Sequence, residues 1–339
     1  MSKTKSLYLI DGSSYIFRAY FGIRQFLSTS TGFPTNALYG FIHMLQKVVK
    51  DEKPDYLAVA FDSKEKTFRH KMYEDYKANR DAPPEDLAKQ FPHFEPLVQA
   101  YNIHGVRVPG FEADDIIGTL AKKAAAEGFK VVIVSGDKDM MQLIGPDIRM
   151  LDTMKNKWFG VEEVQEKFGV TPDKVIDVMG LMGDSSDHIP GVKGVGPKTA
   201  SELIRKFGSM QEMYERIDEV DKAKLKDKLV QDKEMALLSR ELVTINTTMD
   251  LPGGLEDMKF KSPDNSELRK LFSEFEFSSL LAELGDDAGE ISPAIESHYE
   301  TILTEADLER WIEQLKKSKI FALDLETTSL HPVQARIVG

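Results

Sequence analysis

Short continuous apolar runs alternate with longer amphipathic stretches through the first half of this chain. Strands of a parallel sheet are covered on both faces, so they are apolar at every position instead of every second one. Four runs fit that description: residues 6–10, 56–61, 131–135 and 148–152. Three stretches show the helical spacing of apolar residues: 35–50, 86–101 and 113–127. The alternation predicts an α/β fold with a mostly parallel sheet flanked by helices.

The pattern changes after this region. Residues 172–284 carry no strand signal and contain short helical stretches separated by Gly and Pro. Residues 285–298 are acidic and turn-rich, as in a linker. A helix at 304–317 and an apolar strand at 320–323 follow, which is too little to bury a core. The predicted organisation is an α/β domain, a small α-helical domain, a linker and an incomplete, poorly packed domain, over residues 1–171, 172–284, 285–298 and 299–339.

The composition is that of an ordinary globular protein that is acidic overall. Of 339 residues, 41% are hydrophobic and 29% charged, and the net charge is −12. No apolar stretch approaches the roughly 20 residues of a membrane span, and the N-terminus lacks a signal-peptide core. The absence of cysteine excludes disulfides, thiolate metal sites and cysteine nucleophiles, and it fits a reducing cytoplasm. Net charge does not exclude a nucleic-acid partner, because residues 64–80 carry six Lys or Arg against three acids, and residues 193–206 four against one.

Three of the predicted strands lead directly into an aspartate. Asp11 and Asp62 follow the first two strands, and Asp137 follows the third after Ser135 and Gly136. The carboxyl ends of parallel strands meet at one edge of a sheet. Three carboxylates brought together there cannot comfortably remain ionised without a cation. The pattern therefore predicts a metal site at this edge.

Six further acids are also candidate metal ligands. Glu112, Asp114 and Asp115 stand at a predicted helix start, where negative charge is favourable, and Asp139 shares the loop of Asp137. Asp184 and Asp187, which are three positions apart, would share one face of a helical turn. The full set of nine candidate metal ligands is Asp11, Asp62, Glu112, Asp114, Asp115, Asp137, Asp139, Asp184 and Asp187.

Carboxylate oxygens suit hard cations such as Mg²⁺ or Mn²⁺. Two such ions about 4 Å apart can activate a water and stabilise both oxygens of an in-line phosphoryl displacement. Any one acid, taken alone, is better explained as a helix cap or a turn residue. The nine acids taken together favour a metal site.

A basic and aromatic stretch over residues 67–80 is a candidate for contact with nucleic acid, since phosphates attract Lys and Arg and bases stack on Tyr. Tyr73, Lys77 and Arg80 stand at i, i+4 and i+7, so in a helix they would share a face. A solvated amphipathic helix is the alternative, and taken alone it is the commoner case.

A glycine-rich turn over residues 189–200 is more specific. Gly194 and Gly196 permit a tight turn with close backbone approach, and Pro197 suits the start of a helix that runs to about Phe207. Free N–H groups at such a turn bind phosphate, and Lys193 and Lys198 add charge. Non-specific backbone binding beside metal-binding acids indicates a nuclease.

At this point the motifs identify a family. Leu-Ile-Asp-Gly-Ser-Ser-Tyr (9–15), Glu-Ala-Asp-Asp (112–115), Ser-Gly-Asp-Lys-Asp (135–139), Gly-Asp-Ser-Ser-Asp (183–187) and Ile-Pro-Gly-Val (189–192) occur in family order and spacing. The chain resembles, over about residues 5–285, the 5′-nuclease domain of bacterial DNA polymerases I, a member of the flap-endonuclease superfamily. The resemblance implies a PIN-like 5′-nuclease core, followed by a helical domain with a helix-hairpin-helix.

The resemblance also implies roles for individual residues. The nine acids are then the metal ligands, with Asp11, Asp62, Asp115, Asp137, Lys77 and Arg80 acting in catalysis. A helical arch at about 64–95 receives the single-stranded 5′ end, and the helix-hairpin-helix holds duplex DNA with a monovalent cation, K⁺. The implied DNA contacts are Arg18, Tyr76, Lys77, Arg80, Lys193, Gly194, Gly196, Lys198 and Thr199. The chain departs from the family at His188, where Asn is usual.

Residues 299–339 resemble the start of a 3′–5′ exonuclease domain, which has a ribonuclease-H-like fold. Asp324 and Glu326 fit its first acidic motif, which supplies two metal ligands in active members. The other acidic motifs and a polymerase domain do not occur in this sequence, so we expect no proofreading and no polymerisation from it.

The sequence therefore predicts a structure-specific 5′–3′ exonuclease and flap endonuclease that hydrolyses DNA with two metal ions. Its implied partners are branched or nicked duplex DNA with a 5′ flap and RNA primers on DNA, with a role in primer removal and repair. We expect a monomer in the bacterial cytoplasm, associated with the nucleoid and not with a membrane. Two alternatives remain: a catalytically silent module that binds branched DNA, and a related ribonuclease.

Overall fold

The structure is a computed structural model that describes residues 4–23, 25, 27–285, 300–322, 324, 326–329 and 334–338. It divides into two units, Met1–Gly285 and Asp286–Gly339. Across the described parts of the chain, no helix is long and apolar enough to cross a membrane.

A six-stranded sheet organises the first unit. Its strands are β1 (Ser6–Asp11), β2 (Tyr56–Phe61), β3 (His104–Arg107), β4 (Lys130–Val134), β5 (Ile148–Asp152) and β6 (Lys157–Phe159). Their order across the sheet is β3-β2-β1-β4-β5-β6, and only the β5–β6 pair is antiparallel. The mostly parallel sheet and its four predicted strands are confirmed. The sequence did not predict β3 and β6, because they have only four and three residues and are polar at several positions.

Fourteen α-helices lie in the described residues. They are α1 (Gly12–Gly22), α2 (Asn36–Glu52), α3 (Phe68–Met72), α4 (Glu85–Ala100), α5 (Ala113–Ala126), α6 (Val161–Phe168), α7 (Val175–Met182), α8 (Pro197–Phe207), α9 (Met210–Glu215), α10 (Ala223–Gln231), α11 (Lys233–Val243), α12 (Asn265–Glu274), α13 (Ser278–Glu283) and α14 (Glu305–Leu315). The helices predicted at 35–50, 86–101 and 113–127 correspond to α2, α4 and α5. Helix α1 was not predicted.

The sheet buries side chains on both faces. Leu7 and Leu9 of β1 point into the core on the α5 side, whereas Tyr8 and Ile10 point into the core that contains α1, α2 and α4. This two-sided burial explains why the strands are apolar at every position.

Packing is continuous across the predicted boundary at residue 171. The core on the α5 side extends without interruption into helices α7 to α11. Helices α12 and α13 return to the sheet's other side, where Phe272 and Leu280 join the core of α2 and α4. The division at 171 stays a prediction, but residues 172–284 do not form a separate core. The helical part therefore packs on the sheet through the same two cores.

The second unit has little buried structure in its described residues. Helix α14 buries none of its side chains, and Ile320 is 91% exposed. The strand predicted at 320–323 is absent from residues 320–322, the part of it that the structure describes. An apolar run becomes a strand only where a neighbouring strand pairs with it. Apart from Gly285, the predicted linker lies outside the described residues, and the candidate acids Asp324 and Glu326 are exposed.

Candidate metal centre and nucleic-acid interface

The carboxyl ends of β1, β2 and β4 deliver three aspartates to one edge of the sheet. Asp11 caps helix α1 and accepts hydrogen bonds from the Ser14 N–H (2.9 Å) and the Ser135 hydroxyl (2.9 Å). Asp62 accepts from the Ala113 N–H at the start of α5 (2.8 Å). These bonds fix the carboxylates by the local backbone, as strand-to-helix turns do.

The carboxyl groups at this edge crowd one another inside the protein. Burial, followed by the charges of Asp62 and Asp137, raises the pKa of Asp11 to about 7. Burial and then the charges of Asp137 and Asp11 raise the pKa of Asp114 well above its usual range. The pKa of Asp139 is raised in the same way, by burial and then by Asp137 and Asp184. The cluster carries more negative charge than the protein alone compensates.

The donor set fits divalent cations. The Oδ1 atom of Asp139 is buried and has no hydrogen-bond partner, which is costly unless another group binds it. All the candidate ligands are carboxylates, the donors that Mg²⁺ and Mn²⁺ prefer. No group of three or more His, Asp or Glu residues is arranged as a finished metal site in the described residues.

Cations of the chain itself hold several of the acids. Lys138 Nζ lies 2.7 Å from Asp184 Oδ2, and Lys77 Nζ lies 2.9 Å from Glu112 Oε1. Arg80 forms an ion pair with Asp187. Glu112, Asp184 and Asp187 are therefore each paired with a cation of the chain itself.

Asp115 does not face this cluster. It is fully buried, and both of its oxygens accept hydrogen bonds from the Arg69 guanidinium, at 2.8 Å each. It also accepts from the backbone N–H groups of Glu112 (3.2 Å) and Asn246 (2.9 Å). We therefore revise the expectation that Asp115 is a catalytic metal ligand: its acceptor capacity is taken up by the protein. The expected helix start is present, because Glu112 and Asp115 form a capping box on α5.

Asp184 and Asp187 lie in a tight turn, not on a helix as predicted. Backbone hydrogen bonds between Asp184 and Ile189 close the turn in both directions, at 2.8 and 2.7 Å. Behind the turn, Gly183 and Gly191 pack backbone to backbone with positive φ angles of 70° and 62°. A Cβ on Gly183 would lie 2.7 Å from the carbonyl carbon of Pro190, so this contact requires glycine. The backbone therefore places both acids on one turn at the cluster.

The basic stretch does not form the helix that was predicted for Tyr73, Lys77 and Arg80. Helix α3 ends at Met72, and residues 74–79 form turns in which Lys77 has a left-handed φ of 57°. The predicted arch over 64–95 is therefore two helices, α3 and α4, joined by a turn segment. We call residues 73–80 the arch segment.

Three hydrogen bonds to backbone carbonyl groups fasten the arch segment to the turn of Asp184 and Asp187. The Lys77 N–H donates to the Asp187 carbonyl (2.9 Å), and the Asn79 side-chain amide donates to the Ser185 carbonyl (2.8 Å). The third bond joins His188 Nδ1 to the Asp75 carbonyl at 3.0 Å. His188, the departure from the family pattern, thus contacts the arch segment and not the carboxylates. Its φ of 56° is another left-handed position in the turn.

Side chains of the arch segment reach the acids. Besides its contact with Glu112, Lys77 Nζ lies 3.6 Å from Asp187 Oδ2. The Tyr76 hydroxyl donates to Glu112 Oε2 (3.0 Å), and Tyr76 is only 4% exposed. The Tyr76 ring is therefore not available for base stacking in this conformation, contrary to the prediction of a direct DNA contact. Lys77 and Arg80 thus lie directly against the acids.

The glycine turn precedes helix α8 as predicted. Gly194 has a left-handed φ of 79°, whereas Gly196 is extended (φ −98°) and caps Pro197, the first residue of α8. Lys193, Gly194, Gly196 and Lys198 are exposed and Thr199 is half-buried, so the turn is open to a ligand.

Arg18 lines the groove beside the acids. Its Nη1 lies 3.3 Å from Asp152 Oδ1, and its guanidinium lies flat against Gly136, where a Cβ would collide with it. The groove is a cavity of about 370 Å³ that also includes Asp137, Asp139 and Asp184.

Sequence reasoning missed several residues of this region. Arg69 and Ser135 orient acids by hydrogen bonds, and three lysines approach the groove or the glycine turn. Ser135 and Lys138 lie in the 135–139 motif and Arg69 in the basic stretch, but their partners could not be predicted, because the contacts join distant segments. The missed residues are Arg69, Ser135, Lys138, Lys167 and Lys228.

Comparisons with known proteins agree with this architecture. A family model described as "5'-3' exonuclease, N-terminal resolvase-like domain" matches residues 6–169, and one described as "5'-3' exonuclease, C-terminal SAM fold" matches residues 170–266. A "3'-5' exonuclease" model matches residues 299–339.

Two curated relatives cover most of the chain. DNA polymerase I of Bacillus subtilis (strain 168) is 42% identical over 294 residues, which are 86% of this chain and 33% of the relative. The 5'-3' exonuclease of Aquifex aeolicus (strain VF5) is 41% identical over 280 residues, 83% of this chain and 95% of the relative. The chain thus spans about a third of the length of the DNA polymerase I relative and nearly all of the shorter exonuclease.

Solved structures share the fold. The T5 D15 protein co-crystallised with metal ions has a TM-score of 0.59 and 20% identity, covering 83% of this chain and all of that one. The catalytic core of Rad2 in complex with DNA substrate has a TM-score of 0.56 and 16% identity, covering 83% of this chain and 92% of that one.

Proposed function

The chain belongs to the 5′-3′ exonuclease family, and from that premise we propose that it is a structure-specific 5′–3′ exonuclease and flap endonuclease that hydrolyses DNA. The observation that carries the proposal is the cluster of mutually repelling, buried carboxylates at the sheet edge, with Lys77 and Arg80 beside it. Such a cluster costs stability unless cations bind it. A loss of stability of this kind is expected where the bound cations are needed for catalysis.

The proposed metal ligands are the predicted acids without Asp115. They are Asp11, Asp62, Glu112, Asp114, Asp137, Asp139, Asp184 and Asp187. Two Mg²⁺ or Mn²⁺ ions held there would supply activation of a water and stabilisation of the leaving 3′ oxygen. The choice between Mg²⁺ and Mn²⁺ is part of the proposal.

Lys77 and Arg80 would orient the scissile phosphate. Both side chains now neutralise Glu112 and Asp187, and a DNA phosphate offers them a competing partner of the same charge. If Lys77 and Arg80 bound a phosphate instead, Glu112 and Asp187 would be free to bind the cations. Holding the reacting groups in line accounts for a large share of the rate in such reactions.

Duplex DNA would bind at the glycine turn. Lys193, Lys198, Thr199 and the open backbone around Gly194 and Gly196 can hold phosphates without reading bases. A K⁺ ion between the turn carbonyls and a phosphate is compatible with this open backbone. Arg18 would contact the strand in the groove.

The proposed substrates are branched or nicked duplexes with a 5′ flap, including RNA primers on DNA. We propose a role in primer removal and repair, as part of a DNA polymerase I in the bacterial cytoplasm, and the name DNA polymerase I of the Bacillus subtilis relative supports this proposal. We propose that the chain acts as a monomer, because both the acids and the glycine turn belong to its first unit.

A substrate panel tests the proposal against its alternatives. In Mg²⁺, we expect cleavage of a 5′-flap DNA and little cleavage of single-stranded RNA or of a 3′-flap DNA. Preference for single-stranded RNA would favour a ribonuclease. Flap binding without cleavage would favour a silent binding module.

A further inference from the structure

Four cations line the groove at the metal centre, and three of them are already paired. Arg18 pairs with Asp152, Arg80 with Asp187 and Lys138 with Asp184. The fourth is Lys167. Across the parts of the chain that the structure describes, no carboxylate lies within 4.0 Å of its ammonium group.

Lys167 is held at the groove by its own helix. It lies in the last turn of α6, which begins with a hydrogen bond from the Gly160 N–H to Glu163 (2.6 Å) and ends at Gly169 with a left-handed φ of 70°. Its ammonium group lies 5.9 Å from the Phe159 ring centre and 5.8 Å from that of Phe168. Lys167 is exposed, so the contacts with the rings hold its ammonium group at the groove without covering it.

The charges around Lys167 leave it short of an anion. Partial burial of the ammonium group, and then the positive charges of Lys155 and Lys138, lower the pKa of Lys167. Asp137 and Asp139 partly offset this effect. Neither acid is close enough to Lys167 to form an ion pair with it, so their influence is weaker than that of burial and the two lysines. A phosphate bound beside Lys167 would supply the negative charge that these surroundings do not.

We propose that Lys167 binds a backbone phosphate of the DNA strand in the groove, on the side of Asp137 and Asp139, and positions that strand over the metal centre. The inference rests on the proposed function, because the phosphate belongs to its substrate. It adds a contact that the sequence motifs do not contain. Lys167 is then a positioning residue, which holds a neighbouring phosphate and leaves the scissile one to Lys77 and Arg80.

Salt-dependent binding tests the proposal directly. Each lysine–phosphate contact contributes about 0.9 to the slope of log K against log salt. The probe is a 5′-flap DNA in EDTA, so that no cleavage occurs. We expect Lys167→Met to reduce the slope by about one contact and to weaken binding several-fold, and Lys167→Arg to restore both.

Lys174→Met is the matched control. Lys174 follows the same helix, but its ammonium lies 3.7 Å from Asp173 and it does not line the groove. We expect the Lys174→Met variant to match wild type in both the salt slope and the affinity for the flap DNA. The proposal is overturned if Lys167→Met keeps the wild-type slope, or if it weakens binding with an unchanged slope, as a purely structural role would. Wild-type binding without cleavage in Mg²⁺ would reject the proposed activity but leave the slope comparison for Lys167 valid.

Discussion

Arg69 and Asp115 face each other as a two-pronged ion pair in the interior of the protein. The Nη1–Oδ2 and Nη2–Oδ1 distances are both 2.8 Å, and the two side chains are almost fully buried. Arg69 also donates to the carbonyl groups of Leu242 and Thr244 (2.8 Å each). The pair therefore ties α3 and α5 to the end of α11, and so holds the base of the arch against both parts of the unit.

Removal of the Asp115 side chain should lower the free energy of unfolding, because Asp115 has a structural role. Asp115→Ala leaves the Arg69 guanidinium buried without its partner, which costs about 3–5 kcal/mol. Urea unfolding measures this loss. As a control, Arg216→Ala breaks an exposed pair with Glu219, and exposed pairs are worth about 0–1 kcal/mol. An Asp115→Ala variant as stable as wild type would show that the pair is not structural and would restore Asp115 as a candidate ligand.

The back-to-back glycines should be irreplaceable. Gly191→Ala adds a Cβ at a left-handed φ and drives it into the backbone of Gly183. We expect a loss of more than about 2 kcal/mol, since the φ strain alone costs roughly 1–3 kcal/mol. Thermal unfolding provides the measurement.

Gly196→Ala is the matched variant, because its φ is −98° and a Cβ there would meet no atom of the chain within 4 Å. It should fold like wild type and bind duplex DNA more weakly, since the Cβ would obstruct close approach of a phosphate. Equal destabilisation by both substitutions would contradict this account of the two turns.

Divalent cations should stabilise the protein independently of activity. A ligand at 100 times its Kd adds about 2.7 kcal/mol to the free energy of unfolding, so Mg²⁺ should raise Tm relative to EDTA. Asp139→Asn removes one of the repelling charges and one ligand oxygen. Its Tm in EDTA should therefore not fall, while its gain from Mg²⁺ should be smaller than that of wild type. A wild-type Tm that is the same in Mg²⁺ and EDTA would refute metal binding at this edge.

Lys77 should matter for chemistry more than for DNA affinity. Its ammonium bridges Glu112 and Asp187, whereas Lys71 is an exposed lysine of α3. Lys77→Ala should reduce the single-turnover cleavage rate by about 100-fold, the scale of a misplaced reacting group. Lys71→Ala should leave that rate unchanged. Equal rates for the two variants would exclude a role for Lys77 in orienting the phosphate.

The sequence predicted the sheet and its edge because burial on both faces leaves a local signature. A strand such as β2 is apolar throughout, and the acid that follows it must lie at the carboxyl end. Parallel pairing then brings Asp11 and Asp62 together without further information.

The arch segment could not be predicted in the same way. The left-handed backbone of Lys77 is fixed by a hydrogen bond to Asp187, 110 positions away in the chain, and helical spacing carries no trace of it. The same holds for Asp115, which reads as a metal ligand until Arg69 is placed against it. Short motifs identify which acids occur, but tertiary contacts decide which of them remain free to bind a cation.

Metal-dependent hydrolysis at the sheet edge can be measured by single-turnover cleavage of a 5′-flap DNA. Wild type and Asp137→Asn are compared in Mg²⁺ and in EDTA, with flap binding measured in parallel. We expect wild type to cleave near the flap junction in Mg²⁺ only, and Asp137→Asn to react about 100-fold more slowly with flap affinity retained, because each ligand contributes to transition-state stabilisation by the metal centre. Cleavage that persists in EDTA, or an Asp137→Asn variant that cuts at the wild-type rate, would contradict this expectation.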